Sequence, residues 1–167
     1  MPVEITYVPV GEYRSSDGFS PERARNLARR LKEKVVPACH VRRGQGSDIK
    51  IAIEISKLIL ERAVIPVVEL QPGDSSADLR ILSETACTGT VLLSWHDGVP
   101  MFDEPTLLET INGAGRHRLP LDMRVDPGTI PVDNQSFPGF VKELGVLAEK
   151  YGHIQTITLA GSYPEPD

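Results

Sequence analysis

The stretch Gly89–Pro100 reads Gly-Thr-Val-Leu-Leu-Ser-Trp-His-Asp-Gly-Val-Pro, an apolar run that begins at a glycine and ends abruptly in Trp95, His96 and Asp97. A short run of this kind predicts a strand covered on both faces, as in parallel sheets, whose carboxyl end turns into a polar loop. Ligands of open parallel α/β sheets bind beyond the carboxyl ends of the strands, so His96 and Asp97 stand where chemistry is expected. The rest of the chain has to supply the neighbouring strands and the helices that cover them.

Residues 3–10 alternate apolar and polar and predict a first strand that ends at Pro9, with a polar turn over 11–18. Ser20-Pro21 is an N-cap followed by proline at the first helical position, and Ala24, Leu27, Ala28 and Leu31 give the helix to about Lys34 one apolar stripe. Arg25, Arg29, Arg30 and Lys32 occupy its other sides. Ala38–Val41 is a short strand, and Ser47 is the expected N-cap of a second helix through Ile49, Ala52, Ile53 and Ile59. Ile65–Leu70 is a third strand, which Pro66 is expected to confine to an edge or to a start at Val67. Ser75 and Asp78 form a capping-box pattern for a helix over about 76–85. Asp103 caps a helix that is expected to stop at Asn112-Gly113, and 113–136 reads as an irregular excursion. A last helix from Ser136 to Gly152, a closing strand over 154–159 and a short tail, 161–167, complete the chain. This alternation predicts one α/β domain over 1–167, three-layered, with a mostly parallel sheet and helices on both faces.

The 40% apolar and 25% charged residues are ordinary for a globular domain, and no apolar run approaches the roughly 18 residues that cross a bilayer. The first residues lack the basic start and apolar stretch of a signal peptide, so a cytoplasmic, membrane-independent protein is expected. Cys39 and Cys87 are too few and too far apart for a disulfide framework and read as buried thiols. His40, His96, His117 and His153 show no metal-ligand spacing, and neither metal nor cofactor is expected. Residues 1–50 hold 10 Lys/Arg against 6 Asp/Glu, whereas the remainder hold 8 against 17. That acidic remainder argues against nucleic-acid binding, and homo-oligomer formation is left open.

Anion recognition has one candidate stretch. Arg42 and Arg43 end the second strand, and Gly46 and Ser47 lead into a helix whose first amides would face a small anionic ligand. The stretch lacks the lysine of a P-loop and the third glycine of a dinucleotide fingerprint. An exposed surface pair is the alternative reading of the two arginines. Trp95 is either a wall for a ligand or core packing.

Thr90–Gly98 resembles the Val-Leu-Val-Ser-His-Gly strand end of the histidine phosphatase (phosphoglycerate mutase-like) superfamily, with an extra residue on either side of the histidine. Ser47–Glu54 is similar to that family's second-helix segment apart from its arginine, which is Ile51 here. The resemblance implies a phosphoglycerate mutase-like fold. It also implies a pseudoenzyme, because the positions matching the family's first-strand arginine and nucleophilic histidine are Pro9 and Val10, neither of which can take up a phosphoryl group. The expected function is a strand-end pocket kept for ligand binding or regulation. The alternative is an enzyme with a repurposed pocket in which His96 is general acid or base, with Glu12 or Asp97 beside it, on a small anionic or non-phosphate substrate. Asp97 is also read as the cap of a helix starting near Gly98.

Overall fold

A computed structural model describes residues 4–6, 10–14, 20–44, 49–96, 99–125, 137–152 and 154–159. Its elements are β1 (Glu4–Thr6), β2 (Val10–Arg14), α1 (Pro21–Glu33), β3 (Ala38–Arg42), α2 (Ile49–Leu60), β4 (Ile65–Glu69), α3 (Ser76–Glu84), β5 (Thr88–His96), β6 (Val99–Met101), α4 (Glu104–Arg116), β7 (Leu121–Val125), α5 (Phe137–Tyr151) and β8 (Ile154–Leu159). Three helices start where the sequence supplies a cap. Ser20 Oγ accepts from the Arg23 amide at 3.2 Å, Ser75 Oγ from Asp78 at 3.2 Å, and the Asp103 carboxylate from Thr106 at 3.3 Å. Each satisfies one of the amides that a helix leaves unpaired in its first turn.

The strands pair in the order β1-β8-β7-β5-β4-β3-β2, all parallel, and β6 folds back antiparallel on β5. From β2 onward each strand lies beside its neighbour in sequence, so the sheet is wound in one direction throughout. With right-handed crossovers, that order puts every connecting helix on the same face. Successive helices accordingly pack on one another, α1 on α2, α2 on α3 and α3 on α4. Helices on both faces would need the strand order to reverse at a switch point, and it does not. The three-layer expectation is therefore corrected: the sheet has one helix-covered face and one inner face.

The inner face is enclosed by curvature. Seven strands spaced about 4.8 Å apart put the two ends of a flat ladder roughly 29 Å from each other. Yet the end strands, β1 and β2, are separated by only residues 7–9. Four peptide links reach at most about 15 Å, so the sheet has to curl until its ends approach. An independent contact agrees. Arg124 on β7 and Glu12 on β2 are four strand spacings apart, roughly 19 Å across a flat sheet, but their side chains meet at 3.5 Å.

The apolar core fills the space between the outer face and the helices. Tyr13, Cys39, Val41, Val68, Val91, Leu93, Met123 and Ile157 face Leu31, Ile55, Ile59, Leu82 and Ile111, all of them buried. Each fully buried large side chain contributes about 1.5–3 kcal/mol. Helix and sheet approach closely at Gly11, where a Cβ would run into the side chain of Leu31. Tyr13 fastens the start of α1, its hydroxyl accepting from the Ser20 amide at 3.4 Å while Arg23 lies over its ring at 4.7 Å.

Several boundaries differ from the sequence expectation. A separate strand, β2, follows Pro9, itself outside the described residues, and Gly11–Arg14 is strand rather than turn. Pro66 lies inside β4, a central strand, for a reason visible in the ladder. The Ile65 amide donates to Pro37 and the Leu70 amide to Thr90, so odd positions of β4 face β3 and even ones face β5. Pairing with β5 begins only at Val67 and Thr88, below which the missing amide of Pro66 has nothing to bond. The segment after Asp97 opens on strand β6, not on a helix. The expected excursion over 113–136 contains the last turn of α4 and all of β7, a central strand, while 126–136 and the tail 161–167 lie outside the described residues.

Candidate functional site

In-register neighbours share a sheet face, so the inner face can be followed around the ladder. Glu12 is level with His40, Val67 follows on β4, and Thr88 on β5. One pleat nearer the carboxyl ends, Glu69 is level with Thr90, Asp122 and Thr156. Arg42 and Arg124 stand two residues beyond His40 and Asp122 on the same face. A barrel-like interior is ordinarily filled by branched apolar side chains. Here its carboxyl half is filled by charge.

Glu12 is the centre of this set. Its Oε1 lies 3.6 Å from Arg42 Nη1 and its Oε2 lies 3.5 Å from Arg124 Nη2. The Arg124 side chain is only 8% exposed, whereas that of Arg42 is 36% exposed at the rim. Both contacts are longer than a tight charge-assisted hydrogen bond of about 2.8 Å. Below them the Asp122 carboxylate accepts from Thr156 Oγ1 at 2.6 Å and from Thr90 Oγ1 at 3.2 Å, which fixes it between its two neighbouring strands.

His40 is 1% exposed, and its Nδ1 has no hydrogen-bond partner among the described residues. Burial holds its imidazole well below the ordinary value, and the charges of Arg124 and Arg42 act in the same direction. It is a neutral ring. Glu69 is raised above the ordinary carboxyl value by burial, against the opposing Arg43 amide and the charges of Arg42, Arg43 and Arg124. Its Oε2 accepts from the Arg43 amide at 2.6 Å, and Oε1 has no partner among the described residues. Cys39, on the helix side, is pushed up to about 12 by burial and then by Glu12, so it is an inert thiol.

An open cleft of about 380 Å³ reaches Glu12 from the side, between β2 and the first turns of α1, and is lined also by Ser20, Glu22, Arg23, Asn26, Leu27 and Arg30. Cations therefore border the approach as well as the interior.

Of the residues singled out in the sequence, the structure brings Glu12 and Arg42 together. Arg43 is committed elsewhere: its Nη1 donates to Asp74 Oδ2 at 2.8 Å and to the Glu69 carbonyl at 3.1 Å, tying the end of β3 to the loop after β4. Trp95 and His96 are the last two residues of β5, in register with Pro100 and Val99 of β6. Asp97, Gly46 and Ser47 lie outside the described residues. His40, Glu69, Asp122 and Arg124 were not singled out. Their signal was present in Leu121-Asp122-Met123-Arg124-Val125, where acid and base alternate with apolar residues at the period of a strand. Among the described residues no cluster of three or more His, Cys, Asp or Glu is arranged to hold a metal, and no helix is long and apolar enough to cross a membrane.

No family model matches the sequence, and no curated protein matches it. Solved structures do match in three dimensions. The tryptophan synthase complex of Pyrococcus furiosus aligns with TM-score 0.52 and 17% identity, over 91% of this chain and 55% of that one. A truncated 3-deoxy-D-arabino-heptulosonate 7-phosphate synthase of Thermotoga maritima aligns with TM-score 0.54 and 13% identity, over 95% and 53%. Dihydroorotase of Campylobacter jejuni aligns with TM-score 0.53 and 11% identity, over 95% and 47%.

The fold is TIM-barrel-like. The chain spans about half the length of each of these TIM-barrel-like enzymes. They overturn the resemblance to the histidine phosphatase superfamily, and with it the phosphoglycerate mutase-like fold and the reading as a pseudoenzyme of that family. The motif around His96 misled because an apolar parallel strand ending in a polar turn is common to both architectures. Val10 opens β2, a strand separate from β1 that runs to Arg14 and pairs with β3, so it does not stand at the end of a first strand.

Proposed function

We propose that the carboxyl-end interior of this TIM-barrel-like chain binds a small anionic substrate, a carboxylate or phosphate ester, and works on it by proton transfer. The observation that carries the reading is the convergence of Arg42 and Arg124, from strands that are not neighbours, on the single carboxylate of Glu12. Two guanidinium groups brought from separate strands to one place form a cationic patch with N–H donors for a carboxylate or phosphate. The location supports the reading, since TIM-barrel enzymes work at the carboxyl ends of their strands.

Within this reading Arg124 is the buried anchor and Arg42 the clamp at the rim. Glu69 is the proposed proton-transfer group: one oxygen is fixed by the Arg43 amide, and burial shifts its balance toward the protonated form. His96, at the end of β5, is proposed as its partner in proton transfer. The test is calorimetric titration with inorganic phosphate and with a small dicarboxylate. Saturable binding is expected for the wild-type chain, with about a tenfold or greater loss in Arg124→Met and no change in Arg25→Glu on the outer side of α1. Absence of saturable binding of either probe, or equal binding by Arg124→Met, would contradict the proposal.

A further inference from the structure

Outside the barrel interior, a second, partly open cavity of about 100 Å³ lies between the loop after β4 and α4. Two of its lining residues, a serine and a histidine, are within hydrogen-bond distance of each other. Ser76 Oγ and His117 Nε2 are 2.6 Å apart, joined from elements 41 residues distant in sequence. Ser76 is the first residue of α3, and His117 is the C-cap of α4, its own amide held by the Ala114 and Gly115 carbonyls. The ring is thus positioned by the end of one helix against a hydroxyl at the start of another.

We propose that Ser76 is an activated nucleophile with His117 as its general base, and that this cavity takes small carboxylic esters. The hydroxyl lines the cavity instead of closing it off, and Leu70 and Leu79 supply an apolar floor for an acyl group. Arg116 lines the same cavity. The amides of Ser76 and Ala77 are the first of the helix, whereas that of Asp78 is taken by Ser75 Oγ and that of Leu79 by the Ser75 carbonyl. Those two first amides are donors for the oxyanion that forms when the ester carbonyl is attacked.

The step balances without a co-reactant other than water. Ser76 Oγ bonds to the carbonyl carbon and its proton passes to His117 Nε2. The bond from carbon to the leaving oxygen then breaks, and that oxygen takes the proton from His117. Water repeats the sequence on the acyl-serine, releasing the carboxylic acid and restoring the hydroxyl.

Two probes test the pair. A fluorophosphonate reports the nucleophile directly, because Oγ–P forms as P–F breaks and fluoride leaves. Stoichiometric labelling is expected on the Ser76 peptide by mass spectrometry, unaffected by Ser83→Ala on the same helix, absent in Ser76→Ala and about 100-fold slower in His117→Gln. p-Nitrophenyl acetate should give a burst of nitrophenolate that is lost in Ser76→Ala and slowed in His117→Gln. A folded wild-type chain, verified by its thermal transition, that neither labels at Ser76 nor gives a burst would overturn the proposal. So would labelling at the same rate in His117→Gln.

Discussion

Arg43→Leu should cost this protein about 3–5 kcal/mol, a large part of the 5–15 kcal/mol by which domains are ordinarily stable. The arginine side chain is 3% exposed and its partner Asp74 7%, so the pair has little water to fall back on. Removing the guanidinium leaves the Asp74 carboxylate buried with the Gln71 amide still donating to it at 2.8 Å, and deprives the Glu69 carbonyl of its bond from Nη1. Urea denaturation measures the loss. A second variant separates pair from packing: adding Asp74→Leu should restore most of the stability, since a buried charge pair replaced as a unit by apolar groups is often close to neutral. A single-variant loss below about 1 kcal/mol, within the range of exposed pairs, would mean that the charges are solvated.

The second large effect is on acid stability. His40 has a folded-state pKa far below its ordinary 6.5. Below pH 6.5 the unfolded chain therefore binds a proton that the folded chain refuses. Stability should fall as pH drops from 6.5 toward the depressed folded value, by up to about 1.4 kcal/mol per pH unit. Glu69 works in the opposite sense. Its raised pKa makes the folded state bind its proton more tightly, so stability rises as pH falls through the raised value toward 4.5. His40→Gln and Glu69→Gln, unfolded in urea across pH 4 to 8, separate the two. The histidine variant should lose the decline that begins at 6.5, and the glutamate variant should show it undiminished or steeper. Equal slopes for wild type and His40→Gln between pH 6.5 and 5 would place the ring in water.

Much of the fold was legible in sequence because local chemistry marks it. Ser20-Pro21, Ser75 and Asp103 announced three helix starts, and the apolar runs around Val67, Val91 and Ile157 announced strands. Two strands were hidden by their polarity. A sheet buried between two helix layers shows apolar residues on both faces of its strands. This sheet is apolar on its helix side and polar inside its curl, so β2 and β7 read as turn and excursion. Those are the strands that carry Glu12 and Arg124. The charges of the candidate site disguise the elements that hold it, because inward-facing polar residues break the apolar run by which a strand is recognised. Winding direction was hidden for a different reason: alternation of strand and helix is shared by singly and doubly wound sheets, and only the strand order distinguishes them.

Arg42 was found and Arg124 was not, although the two arginines close on the same carboxylate. Sequence neighbours are easy to consider together, and Arg42 stands beside Arg43 and near two glycines. Glu12 and Arg124 are 112 residues apart and meet only because the sheet curls.

The measurement that bears most directly on the anion site is the affinity of Glu12→Gln for inorganic phosphate, by calorimetry at fixed ionic strength. In the proposed site the incoming anion takes the place of Glu12 between Arg42 and Arg124, so neutralising Glu12 should tighten phosphate binding about tenfold, or about 1.4 kcal/mol. Unchanged or weaker binding by Glu12→Gln in a folded chain would contradict the assignment, and would mean that the two arginines serve the fold rather than a ligand.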